Sequence, residues 1–209
     1  IIHRGSMNRR ETQQRPSILD RVKSFGFKVF EEPNYDLNII GVRKIHNRQD
    51  NEFDDTIHVC YRMLDIWVHE WGPATTDPGF YWLTKPDYKP CAVYYHPQQA
   101  RGAYQIGFHR GNSSHEALKQ VRPVKFWRDS NKDEHADYAG FVHKDLIGLN
   151  IHRSSTRPEG SHYVNKWSAG CQVFKYARDL ARLIELCKLQ IEHHPNWAKE
   201  FTYTLIPEE

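Results

Sequence analysis

Gly148-Leu149-Asn150-Ile151-His152-Arg153-Ser154-Ser155, then after a polar run Lys166-Trp167-Ser168-Ala169-Gly170-Cys171-Gln172-Val173-Phe174, is the most informative part of this 209-residue chain. Residues 146–151 form a short apolar run, predicting a strand that delivers His152 at its end. Residues 153–166 are polar and include Pro158 and Gly160, the composition of an exposed loop. Ser168-Ala169-Gly170 then leads into Cys171, with a helical pattern shortly after. A thiol at a strand-to-helix junction sits near helix amide dipoles, which favour the thiolate. Ser168 and Gly170 are small, so backbone N–H groups there can approach a substrate oxygen. His152 has the chemistry to take the thiol proton and return it to a leaving group. The competing reading is a buried structural thiol beside a hydrogen-bonded surface histidine, since free cysteine is among the most buried residue types.

Working outward, residues 175–193 carry Leu180, Leu183, Ile184, Cys187 and Ile191 at helical spacing, ended by Pro195, and residues 201–206 alternate as a final strand. Upstream, residues 56–68 read as a strand pair or one long bent strand, with Ile57, Val59 and Tyr61 at period two. Strands are also expected over 27–30, 37–45, 80–83, 91–95, 103–108 and 124–127. Residues 72–79 are expected as a turn, 97–102 as a loop and 115–120 as a helical turn. Near the N-terminus, residues 8–16 look like a loose polar arm, and Ser17 is placed to cap a short helix over 18–25. Ile1 to Ser6 resembles the remnant of an expression tag, with Met7 the natural start. The fold class is therefore mostly β with helices, one of them long and following Cys171. The division is an N-terminal arm, helix and strands over 7–54 and a main domain over 55–209.

Composition narrows the function. With 29 basic and 26 acidic residues the net charge is +3, and the cations are dispersed, so no nucleic-acid surface is expected. No segment is apolar for long enough to cross a bilayer, and no apolar run follows a basic start, so neither membrane insertion nor a signal peptide is expected. The four cysteines, at 60, 91, 171 and 187, lack CxxC or CxxH pairing, which argues against a zinc finger or ribbon; a Cys60–Cys91 bridge stays open. Asp129, Asn131 and Asp133 alternate as in a calcium loop, but Glu134 stands at the sixth position and Gly140 at the twelfth, where Gly and Glu are required. That stretch is read as a solvated hairpin loop. His109, His115, His193 and His194 lack a ligand frame such as HExxH. Neither metal nor cofactor is expected.

Ile151-His152, a loop, then Ser168-Ala169-Gly170-Cys171 resembles the L,D-transpeptidase catalytic domain, whose signature is a His followed by Ser/Thr-His-Gly-Cys; the separation of nineteen positions is close to the family's. Pro73-Ala74-Thr75-Thr76-Asp77-Pro78-Gly79-Phe80-Tyr81 is similar to the family's Thr-Pro-x-Gly-x-Phe turn into a strand, and the helix and closing strand after Cys171 match too. The resemblance covers about residues 55–207 and implies a β-sandwich or barrel with one long helix. It further implies Cys171 as nucleophile, His152 as base, Gly170 and Ser168 around the oxyanion, and peptidoglycan stem peptides as partner and substrate. Gly148 is a candidate to offer its carbonyl to the second imidazole nitrogen, with His162 the rival base. Arg153, Lys166, Trp167 and Gln172 are the candidate substrate contacts. Ala169 stands where the family has a second His, and Gln172-Val173 replaces an apolar-Arg or apolar-Asn pair. These departures leave cross-linking and hydrolysis both open. They also favour the alternative of a wall-binding or structural module without chemistry.

Other cysteine enzymes fit less well. Papain-like and NlpC-like hydrolases place Cys before His. A sortase would use a histidine farther upstream, where His109 is available, and an Arg on a strand after the Cys, whereas Arg178 and Arg182 fall in the helical stretch. If the family reading holds, the site of action is the periplasmic or extracellular wall of a bacterium, reached from a bacterial or phage source.

Overall fold

The computed structural model describes residues 7–110 and 115–209. The expected tag remnant at 1–6 lies outside the described residues. Alternating apolar residues build the central pair, β3 (Asp55–Met63) and β4 (Ile66–Thr75), which register from Asp55 opposite Ala74 to Met63 opposite Ile66. Around them come β2 (Asn38–Arg43), β12 (Phe201–Pro207), β6 (Gln98–Phe108), β7 (Glu116–Gln120), β10 (Ile151–Arg153) and β11 (Gln172–Phe174). Their order is β4-β11-β10-β7-β6-β12-β2-β3, and the β3–β4 pairing closes an eight-strand mixed barrel. β10–β11 and β12–β2 are the parallel pairs. A small second sheet, β5-β8-β9, uses Cys91–Tyr94, Val124–Asp129 and His143–Asp145. Because β2 is a stave of the barrel, a boundary at 54/55 runs through the sheet.

One face of the strands supplies the core. Ile39, Ile57, Val59, Tyr61, Tyr203 and Leu205 are buried together with Leu180, Leu183, Ile184 and Cys187 of the long helix α3 (Ala177–His193). Each fully buried Leu or Ile there contributes about 1.5–3 kcal/mol through loss of apolar area to water. The opposite face of β2, β3, β4 and β12 offers Ile40, Cys60, Trp67 and Ile206, covered by Ile18, Leu19 and Val22 of helix α1 (Ser17–Ser24). Arg43 is fully buried and tethers the chain after β4. It donates to the Thr76 Oγ1 (2.8 Å), to the Thr76 carbonyl (2.6 Å) and to the Tyr94 carbonyl (2.6 Å), and pairs with Asp77 at 3.1 Å.

Residues 8–12 are no loose arm: β1 (Asn8–Thr12) pairs antiparallel with β4, its polar side chains outward and Arg9 paired to the buried Glu70. Residues 27–30 form no strand. Ser17 is the first residue of α1, Pro16 is its N-cap, and no side chain caps the end. Phe80–Thr84 is a short helix, α2, because the Gly79 carbonyl accepts both the Trp82 and Leu83 N–H groups. The Pro73–Tyr81 segment therefore turns into a helix, not a strand. Residues 98–102 belong to β6, paired with β12, and 116–120 are the strand β7, not a helical turn. Cys60 and Cys91 are both free thiols.

Candidate active site

The parallel pairing of β10 with β11 sets Ile151 opposite Gln172 and His152 opposite Val173, and the Gln172 N–H donates to the Asn150 carbonyl at 3.0 Å. Side chains alternate along a strand and partners in register share a face. Cys171 therefore falls on the face of His152 and Val173, and it packs beside Phe53, Val164 and Val173. No strand delivers His152 from 146 onward; the backbone over 146–150 is irregular, and β10 begins only at Ile151. Likewise β11 intervenes between Cys171 and α3, so the N-terminus of α3 does not adjoin the thiol.

Cys171 is part-exposed, while Cys60, Cys91 and Cys187 are at most 1% exposed, which leaves it the reachable thiol. Its Sγ lies 3.5 Å from the Gly148 carbonyl oxygen. Desolvation pushes the thiol up to about 11, opposed by a hydrogen bond from the Asn150 amide. Gly148 thus faces the sulfur and not the histidine. The His152 Nδ1 donates instead to the Arg153 carbonyl at 2.8 Å, and a carbonyl only accepts, so the neutral ring leaves Nε2 as a proton acceptor. His152 is 2% exposed; burial holds its pKa well below the usual value, reinforced by His109. Among the described hydrogen bonds none joins the Cys171 sulfur to His152; the sulfur is directed at the Gly148 carbonyl instead. His162 is exposed in the intervening loop.

The turn before Cys171 is tightly built. Ser168 is buried, its Oγ donating to the Cys171 carbonyl at 2.8 Å and accepting the Gly170 N–H at 3.1 Å. That N–H is consequently committed, and the Cys171 N–H, which makes no hydrogen bond among the described residues, is the donor left for an oxyanion. Gly170 has φ +133, and a Cβ there would stand 2.4 Å from the Ala92 carbonyl oxygen. The Ser168 carbonyl accepts the Gly79 N–H at 2.9 Å, and the Trp82 indole donates to the Lys166 carbonyl at 3.1 Å, fastening the loop to α2.

A groove of about 930 Å³, the largest of the described hollows, runs past His152. Tyr81, Trp82 and Trp167 give it an aromatic wall, and its charges among the described residues are all positive, from Arg110, Arg153 and Lys166. His109 and His115 complete it, with the His109 ring stacked on His152 at 3.9 Å. Lys166 holds its ammonium 4.4 Å from the centre of the Tyr81 ring, and the Arg153 guanidinium donates to the Ser154 carbonyl at 2.8 Å.

The structure thus brings His152, Arg153, Lys166 and Trp167 together around one groove. Gln172 is elsewhere: fully buried, it accepts from the Tyr203 hydroxyl at 2.8 Å and donates to the Thr76 carbonyl at 3.3 Å, so it holds the barrel wall and does not reach the groove. Tyr81, Trp82, Arg110 and the stacking of His109 went unread, because only tertiary packing brings residues 81–82 and 109–110 to position 152. No protein-family model, no curated protein and no solved structure matches this chain.

Proposed function

We propose that the chain is a cysteine enzyme of the L,D-transpeptidase type, acting on peptide bonds of bacterial peptidoglycan stem peptides through a thioester. One observation carries the reading: the single accessible thiol, one residue before β11, falls on the same face as a buried, neutral imidazole on the adjacent parallel strand, and that imidazole lines a cationic, aromatic groove. Cys171 loses its proton to the His152 Nε2 as Sγ attacks the carbonyl carbon. The oxyanion accepts a hydrogen bond from the Cys171 N–H. Collapse breaks the C–N bond, and the His152 imidazolium protonates the departing amine. An amine or water then attacks the thioester and frees the thiol, giving a cross-link or a cut. The stem peptide as substrate rests on the family resemblance, and its carboxylates suit the positive groove.

The second reading is a wall-binding module without chemistry. Its support is the thiol directed at the Gly148 carbonyl and raised to about 11. Incubation with purified peptidoglycan and muropeptide analysis separates the two. New or lost cross-links with the wild type, absent with Cys171→Ala, support the enzyme. Binding to the wall with an unchanged muropeptide profile supports the module.

A further inference from the structure

The loop joining β8 to β9 begins Asp129-Ser130-Asn131-Lys132-Asp133-Glu134-His135-Ala136-Asp137. Oxygen-bearing side chains fall at its first, third, fifth and ninth positions, the spacing by which calcium loops direct ligands to one centre. Spacing alone identifies no site. What distinguishes this loop is Asp129, which is 1% exposed yet leaves its Oδ1 with no hydrogen-bond partner among the described residues. The other oxygen accepts the Asp137 N–H at 2.9 Å, so the carboxylate is aimed into the loop. The carboxylates of Asp137 and Asp133 are close enough to repel it. A buried carboxylate oxygen without a donor, facing two further carboxylates, is a set of groups that lacks a cation.

The neighbouring atoms are spaced accordingly. The Asn131 Nδ2 lies 2.9 Å from the Asp133 Oδ2 and 2.9 Å from the Asp137 Oδ2. Ligand oxygens at about 2.3–2.6 Å from a calcium ion stand about 3–3.6 Å from one another. The amide thus bridges the carboxylates where a cation would, and turning it over presents Oδ1 to the same centre. Among the described residues no three carboxylate, thiol or imidazole groups already converge on a metal-sized space, so capture requires the carboxylates of Asp129, Asp133 and Asp137 to draw together as the amide turns. The Lys132 ammonium is drawn off to the Tyr88 carbonyl at 3.0 Å, and His135 to Asp50 at 2.7 Å. The backbone also answers the objection from sequence. Glu134, at the position where calcium loops need glycine, has φ +76, the left-handed conformation for which glycine is normally chosen. Asp137 and the buried Asp129 supply carboxylates in place of a twelfth-position glutamate.

We propose that this loop binds one hard divalent cation of calcium's class through Asp129, Asn131, Asp133 and Asp137. The assignment is independent of the cysteine chemistry. Its test is calorimetric titration of the chelator-treated full chain with calcium, alongside the melting temperature with and without calcium. One site is expected, in the range of roughly 0.1–1 mM typical of extracellular modules, with a rise in melting temperature reversed by chelator. Asp133→Asn and Asp137→Asn, both at the exposed end of the cluster, should each weaken binding roughly tenfold and, by relieving repulsion on Asp129, should not lower the melting temperature of the calcium-free protein. No heat and no shift up to about 10 mM calcium, or full affinity in the two variants combined, would overturn it. Magnesium binding as tight as calcium would overturn the class of ion.

Discussion

The His109 imidazole lies stacked on that of His152, 3.9 Å between centroids and 23° between planes. Two rings so placed in a groove with Arg110 and Arg153 cannot both carry protons at low cost. Desolvation, then nearby positive charge, lowers His109 to about 4, and His152 falls well below its ordinary value. His152 is therefore neutral, and able to accept a proton, at physiological pH.

This arrangement makes stability pH-dependent. A histidine lowered on folding stabilises the native state above its unfolded value near 6.5 and loses that contribution as pH falls toward the folded value. His109, His115 and His69 are lowered to about 4, His58 and His96 to about 3, and burial holds His152 well below its ordinary value. Asp55 and Asp179, raised by burial to about 7, act oppositely: their contribution is present below about 3.8 and is lost as pH rises through 7. The histidines are more numerous, so the melting temperature should fall between pH 6.5 and pH 5. A flat or rising profile across that interval would show that these rings are solvated.

Native-state labelling should find one thiol. Three of the four cysteines are buried, so alkylation or a carbapenem should modify Cys171 alone, faster as pH rises toward its pKa of about 11. Cys171→Ala should abolish turnover and cost about 1 kcal/mol of stability, because only one sulfur leaves the contact with Phe53, Val164 and Val173. Mass spectrometry of the intact protein reads the first claim; a second adduct under native conditions would contradict the burial.

Gly170→Ala should be far more damaging than its size suggests. The new methyl group meets the Ala92 carbonyl oxygen at 2.4 Å, and φ +133 is itself strained for any L side chain. A loss of about 2–4 kcal/mol in urea unfolding is expected, with Cys171 displaced. A loss under about 0.5 kcal/mol would mean that the turn relaxes freely.

Arg153 and Gln172 should separate recognition from architecture. On a defined stem peptide, Arg153→Ala should raise KM about tenfold with a smaller change in kcat, the worth of one part-exposed charged contact. Gln172→Ala leaves the Tyr203 hydroxyl without its acceptor and should lower stability by about 1–3 kcal/mol. An unchanged specificity constant for Arg153→Ala would remove it from the site.

Much of the fold was legible wherever burial imposes a period. β3 and β4 show the alternation, and α3 the helical stripe, because one face of each must leave water. Where burial did not dictate the residues, the reading failed. β1 is polar because it lies on the flank of β4 with its side chains outward, which looks like a loose arm in one dimension. Phe80-Tyr81-Trp82 suits a strand by propensity, yet the Gly79 carbonyl bonds, and the burial of Leu83 to 2%, make it a helical turn.

The same division holds at the site. The candidate pair, Cys171 and His152, could be read locally, since a thiol after small residues and a histidine after an apolar run are features of neighbouring positions. It could not tell that Gly148 faces the sulfur, that Gln172 points into the barrel, or that His109 stacks on His152. Each of those depends on register between strands distant in the chain, where a shift of one residue would reverse every side chain. They follow from the packed sheet, because the parallel pairing of β10 with β11 and the return of β6 beside β7 set which atoms meet.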